Sequence, residues 1–146
     1  MPRSSGAYGF KNLISWQKAQ ELTVHVLEIV RTMPRDRASD VLARQVIRSS
    51  SSIAATIAEG HGRFSAGAYR NHLSIARGSA METMSWLDLM RRTGHITTER
   101  EQALLKICDD ILNLISAKMI ELDKQTGTSR TLREERGEYD ASDSDL

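Results

Sequence analysis

Residues 44–82 read RQVIRSSSSIAATIAEGHGRFSAGAYRNHLSIARGSAME. Two helical stripes meet in this stretch across a glycine-rich turn. On the N-terminal side, Leu42, Val46, Ser49 or Ser50, Ile53 and Ile57 recur at three- and four-residue steps, the period of a helix with one buried face. The stripe thins to four serines, Ser49 to Ser52. Serine is a mediocre helix former because its hydroxyl competes for nearby backbone groups, yet so small a side chain lets a second helix come close. Gly60 and Gly62 then predict a helix end with left-handed caps. Ser65 suits the N-cap of a third helix reaching Thr93, with Tyr69, Leu73, Ala76, Ala80, Met84, Leu87 and Met90 as its buried stripe. Gly78-Ser79 falls inside that helix, where a glycine costs about 1 kcal/mol against alanine. Close packing against the serine-rich helix accounts for the pair.

Outward from this core, the second helix starts near Asp36 to Ser39, either of which can cap it, and ends at Glu59. The first runs from about Lys11 to Thr32 and buries Leu13, Trp16, Ala19 or Gln20, Thr23, Val26 or Leu27, and Val30. Met33-Pro34 stops it, because the residue before proline is pushed out of the α region. Gly94 stops the third helix. Thr98 with Glu101 has the spacing of a capping box for the fourth, which carries Leu104, Ile107 or Cys108, Ile111, Leu114 or Ile115, and Leu122 to about Lys124. The expected organisation is a flexible arm over 1–9, a bundle over 10–124 and a disordered acidic tail over 125–146. Four long helices on short connections predict an all-α, up-down-up-down antiparallel four-helix bundle. Ile29 and Leu89 lie off the main stripes and suggest a second buried face, hence self-association.

The chain of 146 residues is one domain by length, and its net charge of +1 implies no polyanionic partner by itself. Charge is unevenly placed. Residues 1–100 hold 14 Lys/Arg against 8 Asp/Glu, residues 101–126 hold 3 against 5, and residues 127–146 hold 3 against 6. An acidic tail thus offsets a basic body. The single cysteine, Cys108, excludes an intrachain disulfide and a cysteine-rich zinc site. The N-terminus lacks an apolar signal core and no apolar run could span a membrane, so a cytoplasmic protein without a membrane partner is expected.

Enzyme signatures are missing. A di-iron bundle needs two Glu-x-x-His motifs, and Glu21, His25 and Glu28 supply neither the order nor a second half. Cys108 sits in a buried stripe and reads as a small core thiol. His61 has no carboxylate or nucleophile fixed beside it and reads as a turn residue. No phosphate loop, dinucleotide fingerprint or metal signature occurs, so no catalytic residue, metal or cofactor is expected. The basic residues are more informative. Arg63, Arg70 and Arg77 are spaced by seven, with Arg91 fourteen further on, and seven residues on a helix drift by only about 20°. They predict a stripe along the third helix, while Arg44 and Arg48 make a pair one turn apart on the second. Such a set, repeated in an oligomer, suits nucleic-acid phosphates; aromatics for base stacking are scarce. The alternative is that Glu59 and Glu82 already hold these arginines in ion pairs.

These residues resemble a known bacterial family. Phe10-Lys11-Asn12-Leu13 with Trp16 and Ala19, Pro34, Gln45 with Ile47-Arg48, Ser52-Ile53, Ile57-Ala58-Glu59-Gly60, Gly62-Arg63, Ser65, Tyr69, Leu73 through Ser79 and Glu82 are similar to the four-helix proteins encoded in intervening sequences of 23S rRNA genes. That family is related in fold to the accessory variability protein of diversity-generating retroelements. The resemblance covers about residues 10–122, with Thr56 where the family has Asn and Val41 where Gly is common. It implies a ring-like homopentamer without enzyme activity, and by analogy a basic platform for RNA and a reverse transcriptase. The function expected is therefore non-enzymatic, homo-oligomeric nucleic-acid binding through Arg44, Arg48, Arg63, Arg70, Arg77 and Arg91, to structured RNA, as an accessory to a reverse transcriptase. The competing expectation is a protein-interaction scaffold whose arginines make subunit salt bridges.

Overall fold

The computed structural model describes residues 6–127. A 3-10 turn over Gly9–Asn12 precedes four helices: α1 (Ile14–Thr32), α2 (Arg37–His61), α3 (Ala66–Arg92) and α4 (Thr98–Thr126). The expected tail, 125–146, lies outside the described residues from 128 onward, and the expected arm, 1–9, over 1–5. Helix α1 packs on α2 and α4, and α3 packs on α2 and α4, while the diagonal pairs stay apart. No helix of the described residues is long and apolar enough to cross a membrane.

The core follows the helical period. Val46, Ile53 and Ile57 from α2 share one core with Leu73, Ala76, Ala80, Leu87 and Met90 from α3, and Leu104, Cys108, Ile111, Ile115 and Leu122 from α4, while Leu42 is buried outside that cluster. On α1 the buried set is Ala19, Leu22, Val26 and Ile29. The expected α1 stripe is thus rotated slightly: Leu22 and Ile29 enter the core, and Val30 stays at its edge. Ile29 is no sign of a second buried face. Leu89, 39% exposed, points outward.

The serine run does what small polar residues can do where two helices come close. Ser49 and Ser50 are fully buried. Ser50 gives its proton to the Ile47 carbonyl. Thr83 Oγ1 on α3 lies 2.9 Å from Ser49 Oγ and 2.8 Å from the Ser79 carbonyl, within reach of both. Ser52 and Ser79 hydroxyls meet at 3.1 Å across the same seam. Each buried hydroxyl therefore has a partner, as burial without water requires. Only half of the Gly78-Ser79 expectation survives. Ser79 faces α2, whereas a Cβ at Gly78 would find nothing within 4 Å. The glycine that packing demands is Gly60, where a Cβ would lie 2.7 Å from His72 Cβ and 3.0 Å from Tyr69 Cδ2.

Several helix ends differ from expectation, each for a visible reason. Gly60 lies within α2, and the C-cap Gly62 has φ −79°, so neither is left-handed. Left-handed glycines are Gly94 (φ +76°) and Gly127 (φ +53°). At Gly94 the amides of Gly94 and His95 donate to the carbonyls of Arg91 and Met90, the two bonds of a Schellman ending. Helix α1 begins at Ile14 because the Leu13 amide closes the 3-10 turn on the Phe10 carbonyl. Helix α4 is capped by Thr97, whose Oγ1 accepts from the Arg100 amide, so the Thr98–Glu101 capping box does not form. The position that would reach back is then Arg100, and Glu101 turns inward. Helix α4 also runs on to Thr126, because Gly127 closes it.

Asp36 caps α2 by accepting from the Ser39 amide at 2.9 Å and lies 3.0 Å from Ser39 Oγ. Ser39 Oγ also meets His95 Nε2 at 2.9 Å. Thr93 Oγ1 lies 2.8 Å from the Leu89 carbonyl and 2.8 Å from His95 Nδ1. The turn before α2 and the turn before α4 are tied together by this chain.

Gly60→Ala is expected to destabilise the fold by about 1–3 kcal/mol through overpacking against α3, read from the midpoint of denaturant unfolding. The bonds from Ser39 hold the Asp36 carboxyl below its ordinary value of 3.8. A carboxyl depressed on folding stabilises above its unfolded pKa and loses that contribution as pH falls. Asp36→Asn, which preserves a capping side chain, should therefore be less stable than the parent near neutral pH. The gap should close as thermal melts are taken through and below pH 3.8.

Candidate nucleic-acid interface

Of the four arginines expected to form a stripe along the third helix, Arg70, Arg77 and Arg91 lie on α3 and Arg63 does not. Arg63 sits in the turn before α3, since that helix begins only at Ala66. Its Nη2 bonds Glu59 Oε1 at 2.7 Å, one turn back. Glu59 also faces His72 Nε2 at 3.5 Å, and the arginine and the imidazole together hold its carboxyl below the ordinary range. Arg48 pairs with Glu82 on α3 and also donates to Gln45 Oε1. Arg70 bridges from α3 to Asp123 on α4 at 2.7 Å. Arg91 holds Glu101 at 2.9 Å and Asp88 at 3.0 Å, and Asp88 is shared with Arg92 at 2.7 Å. Both expected carboxylates, Glu59 and Glu82, do engage arginines.

Four of the six arginines thus serve as ties. Arg48 joins α2 to α3, Arg70 and Arg91 join α3 to α4, and Arg63 spans the α2–α3 turn. Pairs this exposed contribute at most about 1 kcal/mol each. The Arg91–Glu101 pair differs. Glu101 is 4% exposed, and its second oxygen, Oε2, has no hydrogen-bond partner among the described residues. Removing Arg91 would leave that carboxylate buried and unpaired, a far larger penalty. Arg44 and Arg77 stand apart. Both are exposed, and neither meets a carboxylate within 4 Å among the described residues.

Arg44 has company that helical spacing does not reveal. Arg31 at the end of α1 and Arg35 in the α1–α2 turn join it around an open cleft of about 410 Å³. The half-buried side chains of Val30, Met33 and Ile47 line the same cleft. Asp40 is the one acidic residue on it and pairs with none of the three arginines. A scan for periodic charge along one helix passes over this cluster, because Met33-Pro34 divides it between two elements. The signal in the sequence is the run of basic residues flanking that proline.

Burial pushes the Cys108 thiol up to about 12, with the Asp109 carboxylate adding to the effect. His61 is exposed in the last turn of α2, edge-on to Tyr69 at 5.9 Å between ring centres. His25 lies between Glu21 and Glu28, beside Arg100. Among the described residues no group of three or more His, Cys, Asp or Glu side chains could hold a metal.

None of the curated proteins matches this chain. A solved structure does: a protein of unknown function from the S23 ribosomal protein family of Bacteroides thetaiotaomicron, 28% identical, superposing with a TM-score of 0.68 over 73% of this chain and 98% of that one. Residues 11–117 match the family described as 23S rRNA-intervening sequence protein. That span contains α1, α2, α3 and most of α4, together with every arginine considered above, and the chain belongs to the 23S rRNA-intervening sequence protein family.

Proposed function

We propose that this chain is the protomer of a non-enzymatic homo-oligomer that binds nucleic acid, structured RNA in particular, through its phosphates. The observation that carries this reading is the pair Arg44 and Arg77, exposed guanidinium groups without a carboxylate among the described residues. Arg48, beside Arg44 and 59% exposed despite its tie to Glu82, can swing a fork toward the same ligand. A guanidinium fork matches a phosphate with two parallel hydrogen bonds. Arg63, Arg70 and Arg91 contribute to the local field while remaining occupied by carboxylates.

Self-association is supported by α3. Its outward face carries Ile75, Gly78, Met81, Ser85 and Leu89, with Ile75 52% and Met81 42% exposed. Glu82, the charge nearest this face, is turned aside to Arg48 and Trp86 Nε1. A mid-helix glycine with open space before it has no use within the protomer, and it suits the close approach of a second one. The bundle we infer is antiparallel, up-down-up-down: the α2–α3 seam runs from Ser49–Thr83 through Ser52–Ser79 to Gly60–His72, one number rising as the other falls. The family resemblance extends the assembly to a ring-like homopentamer, and its retroelement branch extends the role to an accessory of a reverse transcriptase.

One observation favours a second reading, a protein-interaction scaffold: Arg48, Arg63, Arg70 and Arg91 are held by carboxylates of the same protomer and are less free to meet a polyanion, although these are not the subunit salt bridges expected of that scaffold. The two readings separate on variants. In fluorescence anisotropy with a structured RNA over a salt series, the Arg44→Ala/Arg77→Ala double variant should bind roughly tenfold or more weakly. Its slope of log affinity against log salt should flatten by about one unit for each phosphate no longer neutralised. Absence of binding at low salt, or an unchanged double variant, would sink the nucleic-acid reading. Gly78→Glu should dissociate the oligomer in light scattering while leaving helix content intact; an oligomer of unchanged mass would remove α3 as the subunit face.

A further inference from the structure

The cleft between the end of α1 and the start of α2 has the make-up of a ligand site. Its volume of about 410 Å³ falls within the range of small-molecule pockets, roughly 300–1,000 Å³. Three guanidinium groups, Arg31, Arg35 and Arg44, surround it, and none is neutralised by a carboxylate among the described residues. That sets them apart from Arg48, Arg63, Arg70 and Arg91, each of which has found an acid. Beside them lie Val30, Met33 and Ile47, half-buried and apolar.

We propose that this cleft binds one nucleotide unit, with its phosphate held by Arg31, Arg35 and Arg44 and its base laid on Val30, Met33 and Ile47. Three features select that ligand. The excess of three cations over one acid calls for an anion, and the arginine fork favours phosphate. The apolar lining would stay uncovered under a bare inorganic anion, so a ligand that also carries an apolar face fits it better. Asp40 is an acceptor without a side-chain donor among the described residues, so a ligand with hydroxyl or amine donors suits it. A nucleotide offers all three in one unit. That the unit belongs to an RNA chain rests on the nucleic-acid reading above, whereas the pocket itself does not.

Isothermal titration calorimetry with adenosine and uridine 5′-monophosphate tests the site directly. Saturable binding is expected, weakened roughly tenfold or more in Arg35→Ala and in Arg44→Ala, the effect expected of removing a charge-assisted hydrogen bond. Lys106→Ala, on α4 and not among the residues lining the cleft, should bind as the parent does. Inorganic phosphate should bind at least about tenfold more weakly than the nucleotides, since it leaves the apolar lining bare. The proposal is overturned by any of four results: no saturable binding, phosphate as tight as nucleotide, an equal weakening in Lys106→Ala, or an acidic peptide that outcompetes the nucleotides. Structured RNA, titrated in parallel, separates the two readings. RNA binding without mononucleotide binding removes the cleft and leaves the nucleic-acid reading intact. Mononucleotide binding without RNA binding at low salt does the reverse, and leaves a pocket for free nucleotides.

Discussion

The seam between α2 and α3 is the constraint on which the rest depends. At Gly60 the two backbones stand so near that a single methyl group would collide with His72. Further along, Ser49, Ser52, Ser79 and Thr83 fill the seam with hydroxyl groups that satisfy one another or the helix carbonyls. Larger apolar residues would push the helices apart. Smaller ones would leave the hydroxyls of the opposite helix without partners, which is costly in a dry interior. The position of α3 then fixes α4, through Leu87, Met90, Leu104 and Ile111 in the core and through the Arg70–Asp123 and Arg91–Glu101 pairs at its rim.

This arrangement explains why most arginines are poor candidates for a ligand surface. Long side chains at the edges of a helix seam find acids on the neighbouring helix and settle there. Each pair is weak, but it lowers the free charge that a polyanion would meet. What remains is concentrated at one end of the molecule, around the α1–α2 turn, with Arg77 standing separately on α3. A basic composition in the first hundred residues therefore becomes a localised basic surface only after folding has matched carboxylates to guanidinium groups.

The helices and most of the core are legible in the sequence, because burial on a helix leaves a period that survives without any knowledge of neighbours. Leu42, Val46, Ile53, Ile57, Leu73 and Leu104 are buried as expected. Serines at the α2–α3 seam are legible too, since four in a row on a buried stripe have few other uses. The roles of single glycines are not. Gly60, Gly62 and Gly78 look alike in sequence, and only the position of the opposite helix separates the one under a histidine from the one facing open space. Spacing alone puts Glu101 in a cap, and a shift of one residue in the cap turns it into the core. For the candidate site, Arg44 is visible from its helix, but Arg31 and Arg35 are not. Their proximity to it is made by a turn, and helical periodicity carries no information across a turn.

The hydrogen-bonded chain from Asp36 through Ser39 and His95 to Thr93 fastens two of the three interhelical connections to each other. The third, over residues 62–65, carries no such fastening, and its Phe64 side chain is fully exposed. The connections at the two ends of the bundle are thus fastened differently. Peptide inserted at the fastened end would have to break a shared network, whereas peptide inserted beside Phe64 would meet only local contacts, the Arg63–Glu59 pair and the Ser65 cap of α3. A reporter or an affinity handle placed there would leave the arginine cleft at the other turn untouched.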